Sequence, residues 1–251
     1  MSDATSFTQR DARGYGLAGW PCPERVLLSC AQVLMNPLVD AAEAAAAGVR
    51  RRVRRERRRR QVGRSYDMAA EIARLLPPGS RVLDVGCGAG FIAHHLSALL
   101  GARVQGVDVR PKVDAPIDYA RFDGERLPAP ARSFDAALLC YVLHHARNQR
   151  AFLGEVRRVL RAGGLAVVYE DVPESALDRA ACAAHDRAWR ARTGPCRFRL
   201  ADDWRAVFES AGFEVVAERP LSRWRNLAHP VSRRLFLLRA AGPKGRSPPG
   251  A

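Results

Sequence analysis

The chain has 251 residues, 47% hydrophobic and 27% charged, enough for one sizeable core and outside the range of a disordered chain. Its net charge is +15, but residues 50–60 alone hold nine arginines and one glutamate and supply +8 of it. Six cysteines at 22, 30, 87, 140, 182 and 196 form no Cys-x-x-Cys pair and no zinc-ligand spacing, so free thiols and no metal are expected.

Residues 1–24 read as a loosely packed lead. Met1–Arg13 is polar and has no apolar h-region, so no signal peptide is expected and a cytoplasmic location is. Residues 25–62 read as helical, with Leu27, Ala31, Leu34, Leu38, Ala42 and Ala45 at three- and four-residue steps. Pro37 is expected to kink or break this element. The apolar stretch Val26–Val39 falls short of the ~20 residues needed to span a bilayer. Residues 1–62 are therefore expected to form an N-terminal helical, arginine-rich extension. A domain is expected over 63–240 and a disordered Pro/Gly/Ser-rich tail over 241–251.

Residues 65–76 read as a further amphipathic helix, with Met68, Ile72, Leu75 and Leu76 on one face, ended by Pro77-Pro78-Gly79. The most informative segment follows. Val82, Leu83, Asp84 and Val85 form a short strand that runs into Gly86-Cys87-Gly88-Ala89-Gly90 and then a helix from Phe91. A buried strand, a glycine turn and a helix start make a nucleotide-cofactor cradle. The spacing is Gly-x-Gly-x-Gly, one residue shorter than the dinucleotide fingerprint, with an acid two residues before the first glycine. A second strand, 103–108, ends in Asp108, whose carboxylate suits a ribose diol. After a third strand, Asp123-Gly124 reads either as a turn or as an acid facing a base. Residues 133–140 read as the fourth strand, leading to His144-His145. A helix over 151–161 precedes a fifth strand, 163–171, ending in Glu170-Asp171. A connection over 172–200 is placed to cover the carboxyl ends of the strands. A helix over 202–211 and strands at 212–218 and 234–239 close the domain.

The glycine segment resembles motif I of the class I S-adenosylmethionine-dependent methyltransferases. Asp108, the Asp123-x-x-x-Leu127-Pro128 segment and the Leu160-x-x-Gly163-Gly164 pattern before a strand resemble further motifs of that family, in order. The resemblance covers residues 65–240, nearest to the small-molecule branch that includes quinone-biosynthesis C-methyltransferases. It implies an α/β fold: a Rossmann-like, seven-stranded, mostly parallel sheet with an antiparallel C-terminal edge hairpin. It implies S-adenosyl-L-methionine as cofactor. Asp84, Gly86, Gly88 and Gly90 would hold the methionyl part, Asp108 the ribose and Asp123 the adenine amino group. It also implies a glycine C-cap on the helix before strand five. Val109 is expected either on the adenine face or in the core.

The expected activity is methyl transfer to an oxygen, nitrogen or carbon of a small molecule. Displacement at a sulfonium methyl needs positioning and, for some nucleophiles, a base. His145 and Glu170 are the catalytic candidates, with His144 and Asp171 behind them and His185 as a rim residue. His94 and His95 are expected to be structural. The arginine run, Arg50–Arg60, leaves peripheral contact with an anionic membrane or RNA open. An RNA methyltransferase is one alternative, although Cys140-Tyr141-Val142-Leu143 lacks the prolines of base-amine enzymes and Cys140 does not follow proline. A non-catalytic S-adenosylmethionine-binding protein and an NAD-dependent oxidoreductase are the others.

Overall fold

A computed structural model describes residues 23–223 and 229–241, with side chains described from residue 41. The chain divides into two compact units, Met1–Arg58 and Arg59–Ala251. Helix α1 (Pro23–Ala73) supplies the described part of the first unit and opens the second. It is continuous through Pro37, so of the expected kink or break the break does not occur. A single proline removes one backbone hydrogen bond, and the alanine-rich stretch that follows carries the helix on. Residues 50–60 are exposed throughout. The expected lead before residue 23 and the tail beyond Ala241 lie outside the described residues.

The second unit is built on seven strands: β1 (Val82–Val85), β2 (Val104–Asp108), β3 (Asp118–Arg121), β4 (Phe134–Cys140), β5 (Leu160–Asp171), β6 (Phe213–Leu221) and β7 (Arg233–Ala240). Their order is β3-β2-β1-β4-β5-β7-β6. The first five are parallel; β7 runs antiparallel between β5 and β6. The expected mostly parallel sheet with an antiparallel edge hairpin is thus present. The order reverses between β1 and β4, which opens a crevice at their carboxyl ends.

The central strands are buried on both faces, hence their near-continuous apolar runs. On one face, α3 (Gln149–Val159) and α5 (Ala201–Ser210) bring Phe152, Leu153, Val156, Trp204 and Phe208 onto Val85, Leu139 and Val168. On the other, Ala69 and Ile72 of α1, and Ala93 and Leu96 of α2 (Phe91–Leu100), cover Val82, Leu138 and Tyr169. Each such large side chain contributes about 1.5–3 kcal/mol by leaving water.

Two local expectations are corrected. Helix α3 starts at Gln149, where Asn148 caps it by accepting the Ala151 N–H at 3.0 Å. It ends at Val159 on an extended Leu160, and no glycine caps it. Leu160 already pairs with Phe134, so the sheet claims the chain first; Gly163 and Gly164 fall inside the irregular opening of β5.

Candidate active site

Strand β1 delivers Asp84 to the crevice, and residues 86–90 turn the chain into α2. Gly86 has φ +71°, and a Cβ there would lie 2.5 Å from Cγ2 of Val142, so backbone and neighbour both require glycine. Gly88 has φ +59°, yet a Cβ on it would meet no heavy atom within 4 Å. The loop is therefore closed against the protein at Gly86 and open at Gly88, as a ligand cradle must be. The Gly86 and Cys87 N–H groups donate to Val107 O at 2.8 and 3.1 Å, tying the loop to β2. Gly90 forms the N-cap of α2 in the left-handed conformation, with no side-chain cap, and turns the loop directly into the helix.

Three carboxylates surround this loop. Asp84 is 1% exposed, and its Oδ2 is buried without a hydrogen-bond partner. Burial, then the charge of Asp108, pushes its pKa up to about 7. An orphaned, buried carboxylate oxygen suits a cationic ligand group, such as the ammonium of a methionyl end. Asp108 accepts the Gly88 N–H through Oδ2 at 2.7 Å and the Arg110 N–H through Oδ1 at 3.0 Å. It thereby ties the glycine loop to the carboxyl end of β2. Asp123 accepts the N–H groups of Glu125 and Arg126, both at 2.8 Å and both through Oδ1. These bonds hold its pKa below the usual carboxylate range. The turn role is thus present, and the second oxygen stays open to a donor such as an adenine amine. Val109 is 47% exposed, which removes the core alternative and leaves an apolar surface beside Asp108. This donor set fits S-adenosyl-L-methionine, whose ends are an amino acid, a diol and an adenine.

Beyond β4 the backbone is strained. Tyr141 has φ +60°, a conformation L-residues adopt rarely and mostly where function holds them. Val142 then lies over Gly86, and a 3-10 turn, Leu143–His145, follows. Glu170 is fully buried, and both its oxygens are taken. Oε1 accepts the Leu143 N–H at 2.7 Å, and Oε2 accepts from His144 Nδ1 at 2.6 Å. Its carboxylate thus holds and orients the histidine turn. Burial alone lowers the His144 pKa, but Glu170 and Asp171 outweigh it and the net shift is upward. Burial lowers His145 to about 3, helped by His144 and His185. A base that weak is poorly matched to neutral pH, and the ring presents a neutral nitrogen instead.

Helix α4 (Ala176–Thr193) follows β5 and meets the histidine turn through His185. Ser175 and Asp178 form a reciprocal capping box at its start. Asp178 also accepts the Ser232 N–H and Oγ–H, both at 3.0 Å, docking α4 beside β7. The helix contributes His185, whose ring centroid lies 5.2 Å from His144 and 5.4 Å from His145. Phe198 stacks on His144 at 4.6 Å, and Trp189 lies 5.7 Å from His145. Cys140 is pushed well above the ordinary thiol range by burial and by Asp84 and Glu170, which removes it as a nucleophile.

The fold therefore brings Asp84, Gly86, Gly88, Gly90 and Asp108 to one loop and carries Asp123 at the turn after β3. It groups His144, His145, His185 and Glu170 a short step away. His94 and His95 sit on α2, where His95 meets Tyr66 edge-on at 5.5 Å. Sequence reasoning missed Thr193, Cys196, Phe198 and His229, which join the histidine group from segments far along the chain. No local pattern marks them.

Comparison with known proteins matches residues 55–218 to the model of a methyltransferase domain family. The chain is 28% identical over 163 residues to a sterol 24-C-methyltransferase of Schizosaccharomyces pombe, covering 59% of this chain and 43% of that one. It is 39% identical over 98 residues to a ubiquinone biosynthesis O-methyltransferase of Methylocella silvestris, covering 35% and 38%. A demethylmenaquinone methyltransferase of Tropheryma whipplei is 36% identical over 104 residues, covering 37% and 42%. The chain thus spans less than half the length of these curated relatives. Among solved structures, a methyltransferase from Methanosarcina mazei aligns with TM-score 0.55 and 18% identity, over 68% of this chain and 96% of that one. The [4+2]-cyclase SpnF aligns with TM-score 0.57 and 21% identity, over 71% and 81%. These structural likenesses concern the fold.

Proposed function

Since the chain belongs to the methyltransferase domain family, whose cofactor is S-adenosyl-L-methionine, we propose that it transfers the cofactor's methyl group to a small molecule. The observation that carries this reading is the orphaned Asp84 oxygen beneath a glycine loop that is open at Gly88. The cofactor supplies an electrophilic methyl; the protein supplies position and a dry, shaped site. Asp84 and the backbone of Gly86, Gly88 and Gly90 receive the amino-acid end. Asp108 receives the ribose diol, and Asp123 the adenine amine through its free oxygen. Val109 covers the adenine face.

The acceptor is an apolar, ring-bearing molecule carrying a hydroxyl or an acidic carbon. The relatives' names, which refer to sterols, ubiquinone biosynthesis and demethylmenaquinone, support the apolar, ring-bearing character, as do Trp189 and Phe198 around the histidines. His145 faces that acceptor, and Glu170 acts through His144. Fold alone does not fix the acceptor, because the same architecture serves a [4+2]-cyclase. The free thiols of Cys87, Cys140, Cys182 and Cys196 fit a reducing cytoplasm. Among the described residues no helix is long and apolar enough to cross a membrane.

The test is turnover. The purified chain, S-adenosyl-L-methionine and a panel of phenols, quinols and sterols should yield S-adenosylhomocysteine and one methylated product. Cofactor binding without turnover on any class of acceptor would favour a non-catalytic binding protein. The exposed arginines at 50–60 keep a second reading, contact with a polyanion such as RNA or anionic lipid. Salt-sensitive retention by either surface supports it, and no retention at low salt removes it.

A further inference from the structure

We infer that His144, His145 and His185 form a binding site for a divalent transition-metal ion of the zinc type, built from three imidazoles beside the cofactor loop. Each ring offers one nitrogen, and the three nitrogens lie within 4.8 Å of one another. A tetrahedral zinc site spaces its nitrogens about 3.3 Å apart, so loading would draw no pair together by more than about 1.5 Å.

The independent sign is unsatisfied nitrogen. His144 is 1% exposed, and its Nδ1–H donates to Glu170 at 2.6 Å, which in the neutral ring, the form a metal ion selects, leaves Nε2 as a lone pair. That Nε2 is buried and bonds nothing. Nε2 of His185 is a second buried nitrogen without a partner. Unpaired buried polar atoms are costly, and two of them belong to this one histidine group. The surroundings match those of metal-bound imidazoles. Glu170 grips the far nitrogen of His144, as carboxylates do behind metal-bound histidines. Thr193 Oγ1 at 3.1 Å and Cys196 Sγ at 3.3 Å hold Nδ1 of His145. Phe198 and Trp189 wall the group with apolar surface.

The donor set selects the ion. Three neutral nitrogens favour zinc, cobalt or nickel over the oxygen-seeking magnesium and calcium. Three protein ligands leave a fourth position for water or an oxygen ligand. The turn bearing His144 and His145 starts at Val142, which lies against Gly86 of the cofactor loop. On the methyltransferase reading, an acceptor hydroxyl bound in that position would ionise more readily. The metal site itself does not depend on that reading.

The test uses the full chain stripped with a chelator and titrated calorimetrically with zinc chloride, then with cobalt chloride for its visible spectrum. S-adenosylhomocysteine binding is measured on the same samples. We expect one equivalent of zinc, and a cobalt spectrum of nitrogen-ligated, four- or five-coordinate metal. His185→Gln should weaken zinc binding about 100-fold and Glu170→Gln about 10–100-fold, with S-adenosylhomocysteine binding kept by His185→Gln. His94→Gln should leave zinc binding unchanged. No stoichiometric zinc binding by the folded chain, or equal affinity in His185→Gln, would overturn the inference. Zinc binding without S-adenosylhomocysteine binding would overturn the methyltransferase reading and leave the metal site standing.

Discussion

Replacing Asp84 with asparagine should stabilise the cofactor-free chain and at the same time weaken its hold on the cofactor. The carboxyl is 1% exposed, and burial, reinforced by Asp108, raises its pKa from 3.8 to about 7. Keeping that group ionised once the pH is above this range costs about 4 kcal/mol, since each tenfold change in proton affinity is worth about 1.4 kcal/mol. The sign follows from proton counting. Between 3.8 and about 7 the folded chain binds more protons at this site than the unfolded chain. The parent therefore loses stability as pH rises through that window. Asparagine carries no charge and escapes the loss. The two proteins should unfold alike near pH ~4 and differ by up to about 4 kcal/mol near pH ~8, with the variant more stable. Urea unfolding at both values measures the difference, provided the slopes agree. S-adenosylhomocysteine titration should show binding about 10–100-fold weaker in the variant, because the ammonium has lost a charged partner worth about 1.5–3 kcal/mol. A variant less stable than the parent near pH ~8, or a gap independent of pH, would refute the reasoning.

Other perturbations separate roles within the same loop. Gly86→Ala should cost about 2 kcal/mol or more of folding stability, since its Cβ meets Val142 at 2.5 Å. Gly88→Ala meets no atom and should cost only about 1 kcal/mol of backbone strain in the free chain, yet weaken cofactor binding at least ~10-fold. Thermal unfolding beside calorimetry distinguishes the two. Asp178→Ala removes the reciprocal half of the capping box of α4, the bond from the Ser175 N–H, and both ties to Ser232, so a loss of about 2–3 kcal/mol is expected in denaturant titration. Cofactor binding should release a proton near pH ~6, where Asp84 is still protonated in the free chain. Calorimetry in two buffers of different ionisation enthalpy measures it.

Much of the fold was legible because its signals are local. Val82–Val85 and Phe134–Cys140 are buried on both faces, so they read as unbroken apolar runs. The glycine loop is contiguous, and Asp108 ends the next strand at a fixed step from it. Boundaries set by pairing were not legible. Leu160 joins β5 because Phe134 lies opposite, which nothing in its neighbours shows. Glu170 reads as a reactive acid from its position at a strand end. Only the fold shows its two oxygens committed to Leu143 and His144. The histidine group was half legible: the His144-His145 pair stands out, and His185 lies in the covering segment. Their meeting with Cys196 and His229 depends on how α4 docks, through Asp178 and Ser232. A single-residue period cannot encode that.

The most direct test of the central claim is a calorimetric titration of the purified chain with S-adenosylhomocysteine, run beside NAD, with Asp108→Ala as the control. Asp108 holds Gly88 in place and is the proposed ribose acceptor, so its loss acts on the cradle twice. The account predicts a single site of about micromolar affinity, weakened ~100-fold or more by Asp108→Ala, and no heat with NAD. A folded chain that binds neither ligand, or binds S-adenosylhomocysteine equally well without Asp108, would contradict it.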